Sequence, residues 1–353
     1  MARVVVGMSG GVDSAVAAYL LKIAGHEVIG LTLRNWVAAD GSESRCCEID
    51  EARQVSDVLG IPYYVQNCFS EFDEHVITPF IDDYLNGRTP NPCVICNRAV
   101  KWKGMLAFAR QQQADYVATG HYASVVQLKN GRYTVQANPL NKKDQTYMLY
   151  RLTQEQLAVT LMPLGKLNKD EVRDIADKAG LPVAKKADSL ELCFVPDDDY
   201  ARYIEENAKT PVPGEGNYVN KDGQILGTHK GITHYTIGQR KGLGIALGER
   251  TFVTELRPDT NEVVLGKETD LLRDTVLCHD VNFQSIPPMN PGENIRCRAK
   301  IRYHHQATDA EIMMTDQGDL QIHFDEPVKA ATPGQSAVFY DDNNYVIGGG
   351  IIN

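Results

Sequence analysis

Apolar and polar positions follow two rhythms along the chain, and the rhythm changes near residue 205. Before it, short continuous apolar runs alternate with stretches of helical period. "RVVVGM" predicts a buried strand, and Asp13 to Lys22 a helix with Val12, Val16 and Leu20 on one face and Gly25 as its stop. "EVIGLTL" predicts a second strand, "EIDEARQVSDVLG" a helix ending at Gly60, and "IPYYVQN" a third strand. Residues 71–85 and 97–112 predict helices, and "ADYVATGHY" a strand with a turn at its carboxyl end. From 153 to 180 the pattern is helical again: "TQEQLAVTLM", then "LNKDEVRDIADKAG" with Asn168 as cap. Such alternation predicts an α/β fold, a parallel sheet with helices on both faces. Ligands of these sheets sit at the carboxyl ends of strands, where Gly7 to Ser14 and Thr119 to Tyr122 both fall.

After residue 205 the chain is turn-rich, with Asn220-Lys221-Asp222-Gly223 as a hairpin signal. Residues 250–353 hold short alternating runs such as "TFVTEL", "RCRAKIRY", "LQIHF" and "VIGGGII", which predict one or two small β-barrels. The expected organisation is a catalytic α/β domain over 1–204, a small β-rich domain over 205–275 and a C-terminal β-barrel over 276–353.

Composition adds limits. With 43% hydrophobic and 23% charged residues among 353, the chain is ordinary for a globular protein. No apolar run reaches the roughly 18 residues that span a bilayer. The first run is broken by Gly7, Ser9, Gly10, Gly11 and Asp13, which is not a signal peptide, so a cytoplasmic protein without membrane contact is expected. A net charge of −10 weighs against nucleic acid as partner, although a local basic patch can act within an acidic whole. Eight cysteines in that compartment do not predict disulfides. Cys46, Cys47, Cys68, Cys278 and Cys297 have no ligand spacing and read as packing thiols, whereas Cys93 and Cys96 form a CxxC.

The chemistry concentrates in "SGGVDS", residues 9–14, between a strand and a helix. A Walker A reading fails because the lysine position falls on Asp13, and the Rossmann fingerprint fails too. "GLGIALG" at 242–248 has no strand before it and reads as a turn. Gly10 and Gly11 let backbone N–H groups approach an anion, the helix adds partial positive charge, and Ser9 and Ser14 add hydroxyls. Asp13 would repel phosphate unless a cation stood between, which points to Mg²⁺ bridging Asp13 and pyrophosphate oxygens. The plainer alternative is a glycine turn with Asp13 as helix N-cap.

"SGGVDS" resembles the PP-loop of the ATP pyrophosphatase superfamily, whose members cleave ATP to AMP and pyrophosphate. With "GRTPNPCVICNRAVKW" (87–102), "ATGHYA" (118–123), "KDQTYML" (143–149), "YTIGQRKGLGI" (235–245) and "TPGQSAVFY" (332–340), the whole chain resembles the bacterial tRNA-specific 2-thiouridylases. The resemblance implies that ATP activates the C2 oxygen of the wobble uridine and that sulfur from a cysteine persulfide replaces it. It implies ATP binding by Gly7, Met8, Ser9, Gly10, Gly11, Val12, Asp13 and Ser14, with Leu33 and Gly120 flanking the nucleotide. It makes Cys96 the resolving nucleophile and Cys193, in "DSLELCFV", the persulfide carrier. Asn91, Pro92 and Cys93 would approach the target base, while His121, Lys143, Asp144, Gln145, Arg302, Tyr303 and Gln335 would contact tRNA. The sulfur donor would be a persulfide relay protein or inorganic sulfide.

Cys96 follows a proline-rich turn and precedes the helix predicted from 97, where a helix N-terminus would lower its pKa. Unpaired bases stack on aromatics, for which Trp102, Tyr122 and Tyr303 are candidates. One position departs from the commoner family pattern, which has Asp where this chain has Cys93. Cys93, Cys96 and Cys193 then allow three readings: thiols acting without a metal, ligands of a [4Fe–4S] cluster with one open iron, or a zinc site. Two rival functions keep part of the pattern: a ligase that adenylates a small substrate, and a non-catalytic RNA-binding module.

Overall fold

The computed structural model describes residues 1–37, 47–187, 192–195 and 197–353. Its centre is a five-stranded parallel sheet in which Tyr63–Asn67, Glu27–Arg34, Arg3–Gly7, Tyr116–Ala118 and Thr160–Leu161 lie side by side in that order. The buried run "RVVVG" is β1 (Arg3–Gly7), followed by α1 (Val12–Ile23), β2 (Glu27–Arg34), α2 (Ile49–Leu59) and β3 (Tyr63–Asn67). α1 buries Ala15, Val16, Ala17, Ala18 and Leu21, more than one stripe, while Leu20 is only half-buried. α2 stops at Gly60, whose φ of +57° is left-handed.

Two helical runs follow. α3 (Phe69–Phe72) passes through a π-helical stretch, Asp73–Ile77, into α4 (Thr78–Leu85). α5 (Pro92–Cys96) passes through a second, Asn97–Trp102, into α6 (Lys103–Gln111). The second run begins five residues before the predicted 97, because Pro92 suits the first helical position and does not end a turn. β4 (Tyr116–Ala118) then re-enters the sheet, and β5 (Ser124–Gln127) pairs with β6 (Tyr133–Gln136) as a hairpin.

The helix predicted over "TQEQLAVTLM" is half correct. α7 (Gln154–Ala158) has a full capping box at Thr153, but Thr160–Leu161 is β7, paired to Val117 and Ala118. β-Branched Val159 and Thr160 favour the strand, and the open edge of β4 receives it. α8 (Lys169–Lys178) is capped by Asn168 as expected, its side chain accepting from the Glu171 amide. α9 (Tyr200–Asn207) has no counterpart in the sequence reading; it starts at Asp199, whose carboxylate accepts from the Arg202 amide. Residue 205 lies within it.

The remainder is β. β8 (Gly216–Val219) and β9 (Ile225–His229) form the expected hairpin, joined by β10 (Phe252–Arg257) and β11 (Glu262–Gly266) in a sheet of order β10-β11-β8-β9. A closed barrel follows from β12 (Leu272–Phe283), β13 (Asn294–Lys300), β14 (Thr308–Met314), β15 (Leu320–Lys329), β16 (Ser336–Tyr340) and β17 (Val346–Ile352). Gln284 fastens it to the α/β part: its amide nitrogen donates to Leu149 O at 2.8 Å and its oxygen accepts from the Val135 amide at 3.2 Å. Among the described residues no helix is long and apolar enough to cross a membrane.

Candidate active site

The glycine loop leaves the carboxyl end of β1 and turns into α1 with Gly11 as N-cap. Gly10 has φ +77°, and a Cβ there would lie 2.5 Å from Glu48 O. The serines brace the turn: Ser14 Oγ accepts from the Ser9 amide at 3.1 Å and donates to Gly11 O at 3.1 Å. The amides of Val12, Asp13 and Ser14 open the helix and have no carbonyl one turn earlier to bind. Gly120 closes the other side. A Cβ on it would stand 2.6 Å from Asp13 C and Ser14 N, so backbone packs on backbone. A cavity of about 200 Å³ lies over the loop, with Leu33, Lys101, Gly120 and Gln145 in its wall.

Asp13 is not the N-cap that the plainer alternative required. It sits in the first turn, and its carboxylate accepts the Tyr122 hydroxyl at 2.7 Å and both bonds of the Lys169 ammonium at 2.8 and 2.9 Å. The cation beside Asp13 in the fold is therefore Lys169, from the first residue of α8.

His121 lines the same cavity. Its Nδ1 is 2.7 Å from the Thr119 hydroxyl, and its ring lies 5.6 Å from that of Trp102. Burial, then the charge of Lys101, holds its pKa down to about 3, so the ring is neutral. Two stacking candidates do not fit. Trp102 is fully buried with its N–H donating to Thr160 Oγ1 at 2.8 Å, and Tyr122 is buried against Asp13. Tyr303 is half-buried and donates to Asp144 O at 3.1 Å.

The segment around Cys93 is assembled by the other motifs. Asn97 Nδ2 donates to Met148 O at 3.0 Å. Gln335 Nε2 donates to Thr89 O at 2.7 Å, next to Pro90, Asn91 and Pro92. Gln145 accepts from the Tyr122 amide at 3.0 Å and its own backbone amide donates to Tyr122 O, which ties it to the turn beside the glycine loop. Asp144 is turned inward: its carboxylate accepts from the Asn138 and Thr146 amides and the Thr146 hydroxyl, and burial raises its pKa. Arg302 donates to Ile237 O at 2.8 Å and to the Thr332 hydroxyl. Lys143 is half-buried, its amide donating to Asn141 Oδ1.

The helix start at Pro92 changes the thiol chemistry. Cys93 occupies the first turn and is exposed; Cys96 lies beyond it and is buried, so the helix N-terminus does not act on Cys96 as expected. Cys193 is half-buried beside Phe194, which packs edge-on to Phe72, Phe80 and Tyr203; Cys96 is buried within that apolar cluster and Cys193 packs against it. Among the described residues no three His, Cys, Asp or Glu side chains group to hold a metal ion. Cys93, Cys96 and Cys193 are not gathered as a ligand set in this structure. Cys68, Cys278 and Cys297 are buried, and burial raises all three thiols, Cys68 to about 11 and Cys297 to about 12. Cys47 is also buried, and Cys46 lies outside the described residues.

Family comparison decides the lineage. A tRNA methyl transferase HUP domain model matches residues 2–197, a PRC-barrel domain model 203–267 and an aminomethyltransferase β-barrel domain model 273–352. The chain is 49% identical over 360 residues to tRNA-specific 2-thiouridylase MnmA of Lachnoclostridium phytofermentans, covering 100% of this chain and 99% of that one. The chain belongs to the tRNA-specific 2-thiouridylase family. Relatives in Clostridium perfringens (strain ATCC 13124) and Clostridioides difficile are each 48% identical, covering 99% of this chain and 98% of theirs. Among solved structures, the U34-tRNA thiolase NcsA from Methanococcus maripaludis with its [4Fe-4S] cluster matches 59% of this chain and 67% of its own at 22% identity and a TM-score of 0.37. That likeness is too loose to carry the cluster across.

For a family of ATP-using PP-loop enzymes, the residue that sequence reasoning missed is Lys169. A lysine in the first turn of a helix stands at the wrong end of the helix dipole, a readable signal that it answers a nearby anion. Tyr122, one of three candidates for stacking on a base, is a hydrogen-bond donor to Asp13.

Proposed function

We propose that this chain converts uridine to 2-thiouridine at the wobble position of tRNA through an adenylated intermediate. One observation carries the reading. The π-helical stretch that begins directly after Cys96 delivers Lys101 into the cavity over the glycine loop, so one helix joins the thiol to the nucleotide loop.

The residues divide the work as follows. The loop from Gly7 to Ser14, with Leu33 and Gly120, holds ATP, and Mg²⁺ bound to the phosphates would supply positive charge at Asp13, the one carboxylate among the described cavity residues. Asn91, Pro92 and Cys93 receive the base, and His121, Lys143, Asp144, Gln145, Arg302, Tyr303 and Gln335 form the tRNA-facing region, several of them by fixing backbone. The uridine O2 attacks the α-phosphorus, the bond to the bridging oxygen breaks, and its electron pair leaves with pyrophosphate. The terminal sulfur of a persulfide on Cys193 attacks C2, and AMP departs with the oxygen. The Cys96 thiolate then attacks Cys193 Sγ, which frees 2-thiouridine and leaves a Cys96–Cys193 disulfide for an external thiol reductant. A persulfide relay protein loads Cys193 by handing its terminal sulfur to the Cys193 thiolate and keeping a thiol; inorganic sulfide would load it by attacking Cys193 Sγ of the Cys96–Cys193 disulfide, which frees the Cys96 thiolate. tRNA as substrate implies the cytoplasm.

The test uses ATP labelled at the α-phosphate. The reading requires AMP whose formation depends on unmodified tRNA, and labelled tRNA accumulating in C193S. ADP as product, or AMP formed equally without tRNA, would overturn it.

A further inference from the structure

Asp13 occupies the position at which an ordinary phosphate loop carries lysine. The fold returns a lysine to that spot from 156 residues away. Lys169 opens α8, and the first turns of α1 and α8 meet at its ion pair with Asp13. The pair is not a rim contact: the Lys169 side chain is 14% exposed and that of Asp13 34%. An ammonium at the positive end of a helix dipole needs a compensating anion, and Asp13 supplies one. A triphosphate entering over Gly10 and Gly11 brings several negative charges beside the same carboxylate. Its phosphates attract the ammonium, Mg²⁺ carried with them would take the ammonium's place beside Asp13, and Tyr122 still donates to that carboxylate.

We propose that Lys169 is a substrate-contacting residue, parked on Asp13 in the free protein, whose ammonium transfers to the β- and γ-phosphates and holds the departing pyrophosphate. As the bond between the α-phosphorus and the bridging oxygen breaks, the electron pair moves onto pyrophosphate, and Lys169 offsets the charge where it develops. Lys101 also lines the cavity, but its charge bears on His121. The inference rests on the reading that the glycine loop binds ATP.

The test is equilibrium binding of pyrophosphate, AMP and a non-hydrolysable ATP analogue to the full chain, with AMP-forming kinetics beside it. A charge-assisted contact is worth about 1.5–3 kcal/mol, so K169M should weaken pyrophosphate binding about 10- to 100-fold while AMP binding changes by less than about threefold. The kcat for AMP formation should fall more than KM rises, and K169R should recover part of the loss. K169Q, which keeps the stem and can still bond Asp13, reads the same change should the methionine variant not fold. D13N/K169M should stay as impaired in pyrophosphate binding as K169M. Unchanged pyrophosphate affinity in K169M and K169Q, or its recovery in the double variant, would overturn the inference, because Lys169 would then only neutralise Asp13. Failure of the unsubstituted chain to bind the ATP analogue would instead remove the ATP reading, and the inference with it.

Discussion

Cys96 is buried in one apolar cluster, Cys193 packs against it, and the helical run that begins at Pro92 leads from Cys96 to the cavity over the glycine loop; Cys68 shares the cluster, where burial raises its thiol to about 11. Cys278 lies inside the barrel, where burial holds its thiol protonated. C96S and C193S should each abolish 2-thiouridine formation, whereas C278S should leave it within about twofold and cost mainly packing energy. Nucleoside analysis of treated tRNA checks both. Retained thiolation in C96S or C193S would refute the two-thiol scheme.

His121 gives a pH signature. Its folded pKa of about 3 lies below the ordinary value near 6.5, so above about pH 6.5 neither the folded nor the unfolded chain binds the proton. As pH falls from there toward 3 only the unfolded chain takes it up, and stability is lost. Denaturant titrations at about pH 7.5 and about pH 5 should show a smaller loss for H121Q than for the unsubstituted chain; an equal loss would mean that this imidazole is not held neutral.

The elements of the glycine-loop site were legible because strand, glycine turn and helix each carry a local signal, and Asn168 and Gly60 cap where their residue types predict. What was not legible depends on pairing across the fold. Thr160 becomes strand because β4 has an edge to fill, and Pro92 starts a helix because a proline signals turn and helix start alike. Gly120 shows the same limit: its need for glycine comes from the α1 backbone, far away in sequence. G120A forces a Cβ to within 2.6 Å of that backbone. The overlap should cost about 1–3 kcal/mol and push α1 from the loop. The expected result is a lowered unfolding midpoint together with at least a tenfold loss of ATP affinity, roughly 1.4 kcal/mol. Unchanged ATP affinity in the folded variant would show that this packing does not shape the nucleotide site.

At the scale of the molecule, the β parts hold the Cys93 segment from behind. Gln335 binds Thr89 O, and Arg302 ties the barrel to Ile237, which lies between β9 and β10 of the four-stranded sheet. Those motif residues were readable as important, but not that several of them spend their polar groups inside the protein. Q335A should therefore lower thiolation while leaving ATP affinity unchanged. The salt dependence separates anchoring from phosphate contact. If Arg302 acts by anchoring, R302Q should leave the slope of log affinity for tRNA against log salt unaltered; a slope smaller by about 0.7–0.9 would mean a lost phosphate contact.

The central claim is that ATP cleavage to AMP and sulfur insertion into uridine are one reaction of this chain. The most direct measurement mixes the protein, unmodified tRNA, ATP and a persulfide donor, then quantifies AMP and digested nucleosides by mass spectrometry. The account predicts 2-thiouridine at the wobble position with about one AMP per sulfur inserted, and neither product when tRNA is left out. Thiolation without ATP, or ATP cleavage to AMP with tRNA left unthiolated, would contradict it.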